Sequence, residues 1–530
     1  MEYPEWLLKH KKDDVASMED YLLTRFRAAR MARVKDIHRP LYHFYSPECH
    51  MNDPNGLCYR NGNWHLFYQA YPPETKKVVW GHAVSKDMIH WKDYPYAIYP
   101  GPGEYCCSGN IIVEENRAIA MYHARLVGSF VAISKDDSLK YWHKVTGKQV
   151  IDLSQKNDLG VYHDIQDPCI WTKDGVYYAI INYPIYHRSN DIQKRGNMLF
   201  RSKNLADWQR MHEFVEDDDI FYLLGDDGAC PYFLPIGKEG RYMLMHFSHM
   251  SGAQATVGEY DRERDKFVPS SHFRFNFGRH AFGGTAAPSC FPDGNGNLVT
   301  IFCVGVAKET EDYNEYYQIM SLPRLLSLEK RDELRQKPYG DIESLRFEHW
   351  SRENIYLAPN SEIVVDGIQG NSLEIVVEIE KREKSTIEMN VLRAADKSEY
   401  TRIVYYGGRH RSPDMADPGR FKQVVNDVIL LDNAHSSTLS NSMSCPPEAA
   451  PMPAEGNDTL KLRIFIDKSV VEVFANQRQC VALRAYPKET SVGVSFQSIG
   501  NEARIKRIDA YRMKSIYDDV AKQVSKTLSR

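Results

Sequence analysis

Three short acidic segments carry the residues of this 530-residue chain best suited to proton or nucleophile chemistry. Asp53 stands in HMNDPNG, Asp167 in DIQDPCIW, and Asp226 and Asp227 in GDDGACPYFLP. Each acidic string reads as a turn and opens onto an apolar, aromatic run. Asp-Pro-Asn-Gly is by itself only a turn signal, because Pro and Gly set its backbone angles and Asn and Asp bond their own backbone. A tight turn is also a way to hold a carboxylate with little freedom. Carboxylates that converge suit glycoside hydrolysis. In a retaining enzyme one attacks the anomeric carbon and another, about 5 Å away, protonates the leaving oxygen. A third acid can hold sugar hydroxyls while the ring distorts.

Convergence needs elements that bring distant turns together. From residue 40 to 335 the chain alternates apolar and polar residues in short runs such as NWHLFYQAY, VYYAIINYP, RYMLMHFSHM and NLVTIFCVGV, separated by Gly, Asn and Asp. That is the pattern of many short strands. AVSKDMIHW, AISKDDSLKYW and FRSKNLADW repeat a Ser-Lys-Asp/Asn string ahead of Trp91, Trp142 and Trp208. Recurrence at about fifty to sixty residues is propeller-blade spacing. The string is expected to turn the chain between two strands of a blade, with the Trp filling space between blades. In a propeller the starts of the innermost strands meet at one end of a central channel, so the three acidic turns can meet there.

The predicted organisation is all-β with terminal helices. It comprises a helical extension over 1–38, a propeller over 39–335, a linker over 336–358, a β-sandwich over 359–513 and a helix over 514–530. LLSLEKRDELRQK reads as a short helix and 408–458 as a long Pro-, Ser- and Asn-rich loop. The sandwich rests on SLEIVVEIE, STIEMNVL, KLRIFIDKSVVEVFA and SVGVSFQS, evenly spaced strands of the kind that pack as two sheets. Arg and Lys among the apolar residues of YLLTRFRAARMARVKDI fit a solvated helix face better than a nucleic-acid surface.

A net charge of −4 and a pI near 6.6 give no reason to expect nucleic acid or an anionic membrane as partner. The start MEYPEWLLKHKKDD has no apolar core of a secretory signal, and no run of about 18 apolar residues would span a membrane. Ten scattered cysteines without a CxxC pair suggest reduced thiols and a cytoplasmic location. No metal-ligand spacing or cofactor motif stands out, and self-association is left open.

HFYSPECHMNDPNGLCYRNGNWHLFYQAYP is similar to the N-terminal signature of glycoside hydrolase family 32, the invertases, inulinases and levanases. CCSGN at Cys106–Asn110 resembles that family's Phe-Ser-Gly-Ser element, DIQDPCIW its Arg-Asp-Pro element, and LRIFIDKSVVEVFAN at Leu462–Asn476 the core of its C-terminal sandwich. The resemblance implies a five-bladed propeller followed by a sandwich, and a fructose-containing di-, oligo- or polysaccharide as substrate. It implies Asp53 as nucleophile, Asp167 as transition-state stabiliser, and Asn52, Gln69, Trp80, Ser108 and Gln166 as substrate-binding residues. No cofactor is implied. Glu472 is a sandwich residue without a catalytic role, while His249 and Gln254 fit either a place near the site or a structural role.

Three positions depart from the family pattern. His50 stands where Trp is usual, Gln166 replaces the Arg of Arg-Asp-Pro, and Ala229-Cys230-Pro231 replaces Glu-Cys-Pro. The third removes the general acid, since alanine transfers no proton. Three readings follow. The acid has moved to Asp226 or Asp227, Ala229 replaces a Glu to trap a complex, or the protein binds fructosides without cleaving them. The expectation adopted is retaining hydrolysis of β-D-fructofuranosyl linkages with Asp226 or Asp227 as acid and base. A fructotransferase of the same fold and a non-catalytic binder are the alternatives.

Overall fold

The computed structural model describes residues 15–517 apart from 49, 76, 126, 153–166, 187–192, 217–225, 238–239, 279–283, 307–317, 331, 381–385, 408–425 and 454–458. The described strands up to Pro338 form five antiparallel sheets, each with four strands in chain order along its main path. Their innermost strands are His50–Arg60, Cys106–Val113, Pro168–Lys173, Ala229–Ile236 and Thr285–Pro292. Each innermost strand touches the next, and the fifth touches the first. The five sheets therefore close into a propeller with no inner edge.

The repeated Ser-Lys-Asp strings lie between the third and fourth strands of the first three blades. In the first, the Asp87 side chain accepts from the backbone N–H of Ile89 and His90 and from the Ser85 hydroxyl. Asp136 and Asn204 make equivalent bonds in the next two. Each turn contains a non-glycine residue at positive φ: Met88 at 68°, Leu139 at 52° and Leu205 at 67°. The Trp142 and Trp208 indoles each donate to the carbonyl of that left-handed residue. Trp142 then packs edge-on against Phe67 of the preceding blade at 5.8 Å. The repeat is thus a side-chain-capped turn combined with an inter-blade wedge.

Two six-stranded sheets follow. One runs Arg346–Leu357, Ala503–Met513, Ser372–Glu380, Thr459–Asp467, Val470–Ala475, Gln479–Arg484. The other includes Gly493–Ile499, Thr386–Arg393 and Thr401–Tyr406. Apolar side chains of both sheets form one core, including Ile375, Val377, Ile464, Val473, Met389 and Phe496.

Several expectations change. LLSLEKRDELRQK is not helical: Arg324–Glu329 and Glu333–Pro338 pair as the outer hairpin of the fifth blade, turning through Lys330 at φ 51°. Its leucines fit either period, and blade closure selects the period of two. The stretch expected as a linker contains the strand Arg346–Leu357, which pairs with Ala503–Met513. Within the segment read as a long loop, Asn426–Asp432 and Glu448–Pro453 are paired strands. The C-terminal helix lies almost wholly outside the described residues. Its first residues, 514–517, are not helical.

The helix Val15–Ala32 presses Met18, Leu22 and Phe26, a stripe at four-residue spacing, onto the first blade. Two of its arginines, and Arg33 just after it, are engaged rather than merely solvated. Arg25 pairs with Glu48 at 2.6 Å, Arg30 pairs with Asp93 at 2.7 Å, and Arg33 donates to the Pro47 carbonyl at 2.7 Å.

A fully buried charge cluster joins propeller and sandwich. Asp467 accepts from the backbone N–H groups of Leu41, Tyr42 and His43 at 2.7–2.9 Å, and pairs with His43 Nδ1 at 2.9 Å. Glu472 meets His43 Nε2 at 3.1 Å, the Leu322 N–H at 2.7 Å and Arg324 at 3.0 Å. One sandwich hairpin thereby grips the chain just before the first blade and again in the fifth. Burial disfavours the charged imidazole, but the bonds to Asp467 and Glu472 outweigh it and raise the His43 pKa to about 9. A raised pKa contributes stability that is complete below about 6.5 and lost as pH rises through about 9. Melting temperature should therefore fall across that window, and His43→Asn should flatten the fall. Breaking the cluster by Glu472→Gln should destabilise the protein by about 3–5 kcal/mol in thermal or chemical denaturation. A slope unchanged in His43→Asn would assign the pH dependence to other groups.

Candidate active site

Four of the five inner strands lose regular register near the same end of the channel. Shifts fall between Met51 and Pro54, Cys106 and Gly109, Ala229 and Tyr232, and Ala286 and Pro288. An extra residue in a strand re-aims its neighbours, and Asp53, Ser108 and Cys230 are the side chains re-aimed here. HMNDPNG is thus an irregular strand rather than a free turn, with Gly56 at φ 48°. A Cβ at Gly56 would sit 2.7 Å from the Ile111 side chain of the second blade, so glycine is required for the close approach.

Beneath this end, the buried Tyr232 hydroxyl ties the ring together. It accepts from the Gly56 N–H at 3.1 Å, donates to the Gly109 carbonyl at 3.1 Å and bonds the Ser289 hydroxyl at 2.8 Å. Blades one, two, four and five meet at one oxygen.

Above it, Asp53 Oδ2 accepts from Gln69 Nε2 at 2.9 Å, the Ser108 hydroxyl at 2.6 Å and the Cys230 thiol at 3.6 Å. Among the described residues no side-chain donor addresses Oδ1. Asp167 Oδ2 accepts from the Cys230 backbone N–H at 2.9 Å and its thiol at 3.4 Å. Cys230 bridges the two carboxylates from a left-handed backbone at φ 50°. Burial raises the pKa of Asp53, and the Ser108 bond opposes that rise. Burial and the charge of Asp53 raise Asp167 to about 6 against the Cys230 N–H. Two desolvated carboxylates with one donor-saturated oxygen between them form an electron-rich site suited to attack on, and stabilisation of, a cationic carbon.

The residues expected from the sequence divide as follows. Gln69 and Ser108 bond each other at 2.7 Å as well as Asp53, and Asn52 donates to Gln69 at 3.4 Å. Asn52 also accepts from Gln318, a fifth-blade residue that no sequence motif marked. Gln166 lies outside the described residues. Trp80 is corrected: its side chain is 0% exposed, its indole N–H is bonded to the Cys107 carbonyl at 2.8 Å, and it packs between Phe67 and Tyr122. It shapes the wall between two blades and has no surface for a sugar. His50, in place of the usual Trp, packs its ring on Tyr71 at 4.9 Å, and burial lowers its pKa to about 4.

The expected acids are corrected too. Asp226 is 1% exposed, and its oxygens are occupied by the Ser251 hydroxyl at 2.6 Å and Gln254 at 3.2 Å. It braces a turn, with both oxygens engaged by the neighbouring strand pair. The Asp227 carboxylate is committed to His249, accepting from its backbone N–H at 3.0 Å and bonding its Nδ1.

The family model for the glycosyl hydrolases family 32 N-terminal domain matches residues 43–338, and that for the family 32 C-terminal domain matches 341–512. The chain belongs to glycoside hydrolase family 32. It is 25% identical to a levanase of Bacillus subtilis (strain 168) over 92% of this chain and 72% of that protein. It is 26% identical to insoluble β-fructofuranosidase isoenzyme 2 of Daucus carota, over 91% and 90%. It spans about a third of a Streptococcus mutans fructan β-fructosidase, at 34% of that length. Fructan 1-exohydrolase IIa of Cichorium intybus superposes with a TM-score of 0.75 at 21% identity, over 91% of this chain and 98% of that one.

Within this family 32 glycosidase, Ser108 tunes the Asp53 carboxylate. Ser108→Ala removes a bond that lowers the Asp53 pKa, so the acid limb of the kcat/KM–pH profile should move to higher pH. The loss should be about 1.5–3 kcal/mol in kcat/KM, as for a hydrogen bond to a charged group. An unmoved limb would assign that titration to another group.

Proposed function

We propose that the protein is a retaining glycosidase that cleaves β-D-fructofuranosyl linkages in sucrose or fructans through a fructosyl-enzyme intermediate. The observation that carries this reading is Asp53. It is half-buried where the inner strands of the ring meet, one oxygen is saturated by Gln69, Ser108 and Cys230, and the other is left for attack. Asp167 lies within reach of the same thiol and is suited to hold sugar hydroxyls and offset the positive charge that develops on the ring. Asn52 and Gln69 line the same cluster. The levanase and β-fructofuranosidase names of its relatives support the fructosyl specificity.

Asp53 must be ionised to attack, and its burial raises its pKa above the usual carboxylate range. Activity requires the deprotonated form, so it is expected above the acid limb and lost as pH falls through that raised value. Assays on sucrose, inulin and levan should show turnover by the wild type and none above background for Asp53→Ala. Transfer to methanol should give only the β-anomer. An α-methyl fructoside would contradict retention, and turnover by Asp53→Ala would remove the nucleophile assignment.

A further inference from the structure

A carboxylate–histidine pair, Asp227 and His249, lies beside Ala229. Ala229 pairs in register with Phe247 on the neighbouring strand. Asp227 lies two residues before Ala229 and His249 two residues after Phe247, so the antiparallel strands bring them opposite each other beside the vacated position. His249 is held at two points by one carboxylate, its backbone N–H to Asp227 Oδ1 at 3.0 Å and its Nδ1 to Oδ2. Its ring packs edge-on against Phe247 at 4.8 Å. The side chain is 53% exposed, whereas Asp227 is largely covered. Among the described residues nothing bonds Nε2.

Resting on the fructosidase reading above, we propose that His249 is the acid and base of this enzyme, with Asp227 as its positioning residue. In the first step Nε2–H gives its proton to the glycosidic oxygen. The bond from that oxygen to the anomeric carbon breaks, and Asp53 forms an ester to that carbon. In the second step neutral Nε2 takes a proton from water, whose oxygen attacks the anomeric carbon and releases Asp53. A carboxylate that fixes Nδ1–H presents the opposite nitrogen to substrate. The charged groups facing His249 are Asp227, Asp53 and Asp167, all acidic. The Asp227 bond raises its pKa most, and the other two carboxylates add to that rise. The imidazolium therefore persists as pH rises, and activity is lost only on passing through the raised value.

The experiment compares sucrose with p-nitrophenyl β-D-fructofuranoside, whose phenolate leaves without a proton, in the full chain. His249→Gln and His249→Asn should fold normally by thermal melt and lose about 10²–10⁴-fold in kcat/KM on sucrose. They should lose far less fructosylation of the enzyme by the aryl substrate, and azide should rescue turnover by giving fructosyl azide. Asp227→Asn should move the basic limb of the profile to lower pH, a shift that a purely structural role would not produce. Two results would overturn the proposal: His249→Gln with wild-type kcat/KM on sucrose and an unmoved basic limb, or turnover that appears only on Ala229→Glu. Asp53→Ala separates the two readings. If it is dead while His249→Gln is fully active, the acid/base assignment alone fails. If it is active, the fructosyl-enzyme reading beneath it fails.

Discussion

Asp467 and Glu472 hold the two ends of the propeller ring in one buried cluster, and the site depends on that hold. A ring of five sheets gathers its inner strands only if the first and fifth stay in contact. Here the segment 41–43 and the segment 322–324 are both bonded to a single hairpin of the sandwich. Met320 N–H also bonds the Phe44 carbonyl at 2.8 Å, and Ser289 of the fifth blade bonds the Leu57 N–H of the first at 2.9 Å. The sandwich thereby ties the first and fifth blades to each other. A buried cluster of this kind is sensitive to loss of any one partner, because the remaining charge is left in a medium that cannot solvate it.

The same physics operates at the site with a different outcome. Asp467 and Glu472 are surrounded by donors, and bonds from His43 and the charge of Arg324 hold Glu472 low against burial. Asp167 is buried and Asp53 half-buried, and among the described residues neither has a cation in direct contact, so desolvation wins and both are raised. Buried carboxylates without direct counter-charges favour a cationic partner, and a fructosyl ring approaching its transition state supplies one. The Tyr232 hydroxyl bonds to three other blades and ties their inner strands together, close in the chain to Asp53 and to Cys230.

The departures from sequence expectation share a cause. The family resemblance implies Trp80 as a substrate contact, but its indole is consumed by an inter-blade bond. LLSLEKRDELRQK satisfies helical and strand spacing alike, and only the open edge of the fifth blade decides between them. Asp226 and Asp227 are adjacent in the chain and look equivalent, yet one points into Ser251 and Gln254 and the other to His249. Gln318 has no marker in sequence, and Cys230 stands out only within the altered Glu-Cys-Pro element, because their roles arise from neighbours far along the chain.

The sequence by itself determined the all-β class, the repeated capped turns of the first three blades and the family, and it singled out Asp53 and Asp167, which the structure brings to the same thiol. Those features are local: period-two alternation, side chains that bond their own turn, and short ordered motifs. It also exposed the absence of a glutamate at Ala229. The tertiary structure decided which acids converge, that Cys230 bridges them, that register shifts lie beside them, and that His249 pairs with Asp227 next to Ala229. Those depend on strand register and ring closure, which are set by contacts between residues separated by up to hundreds of positions and leave no periodic trace in the chain.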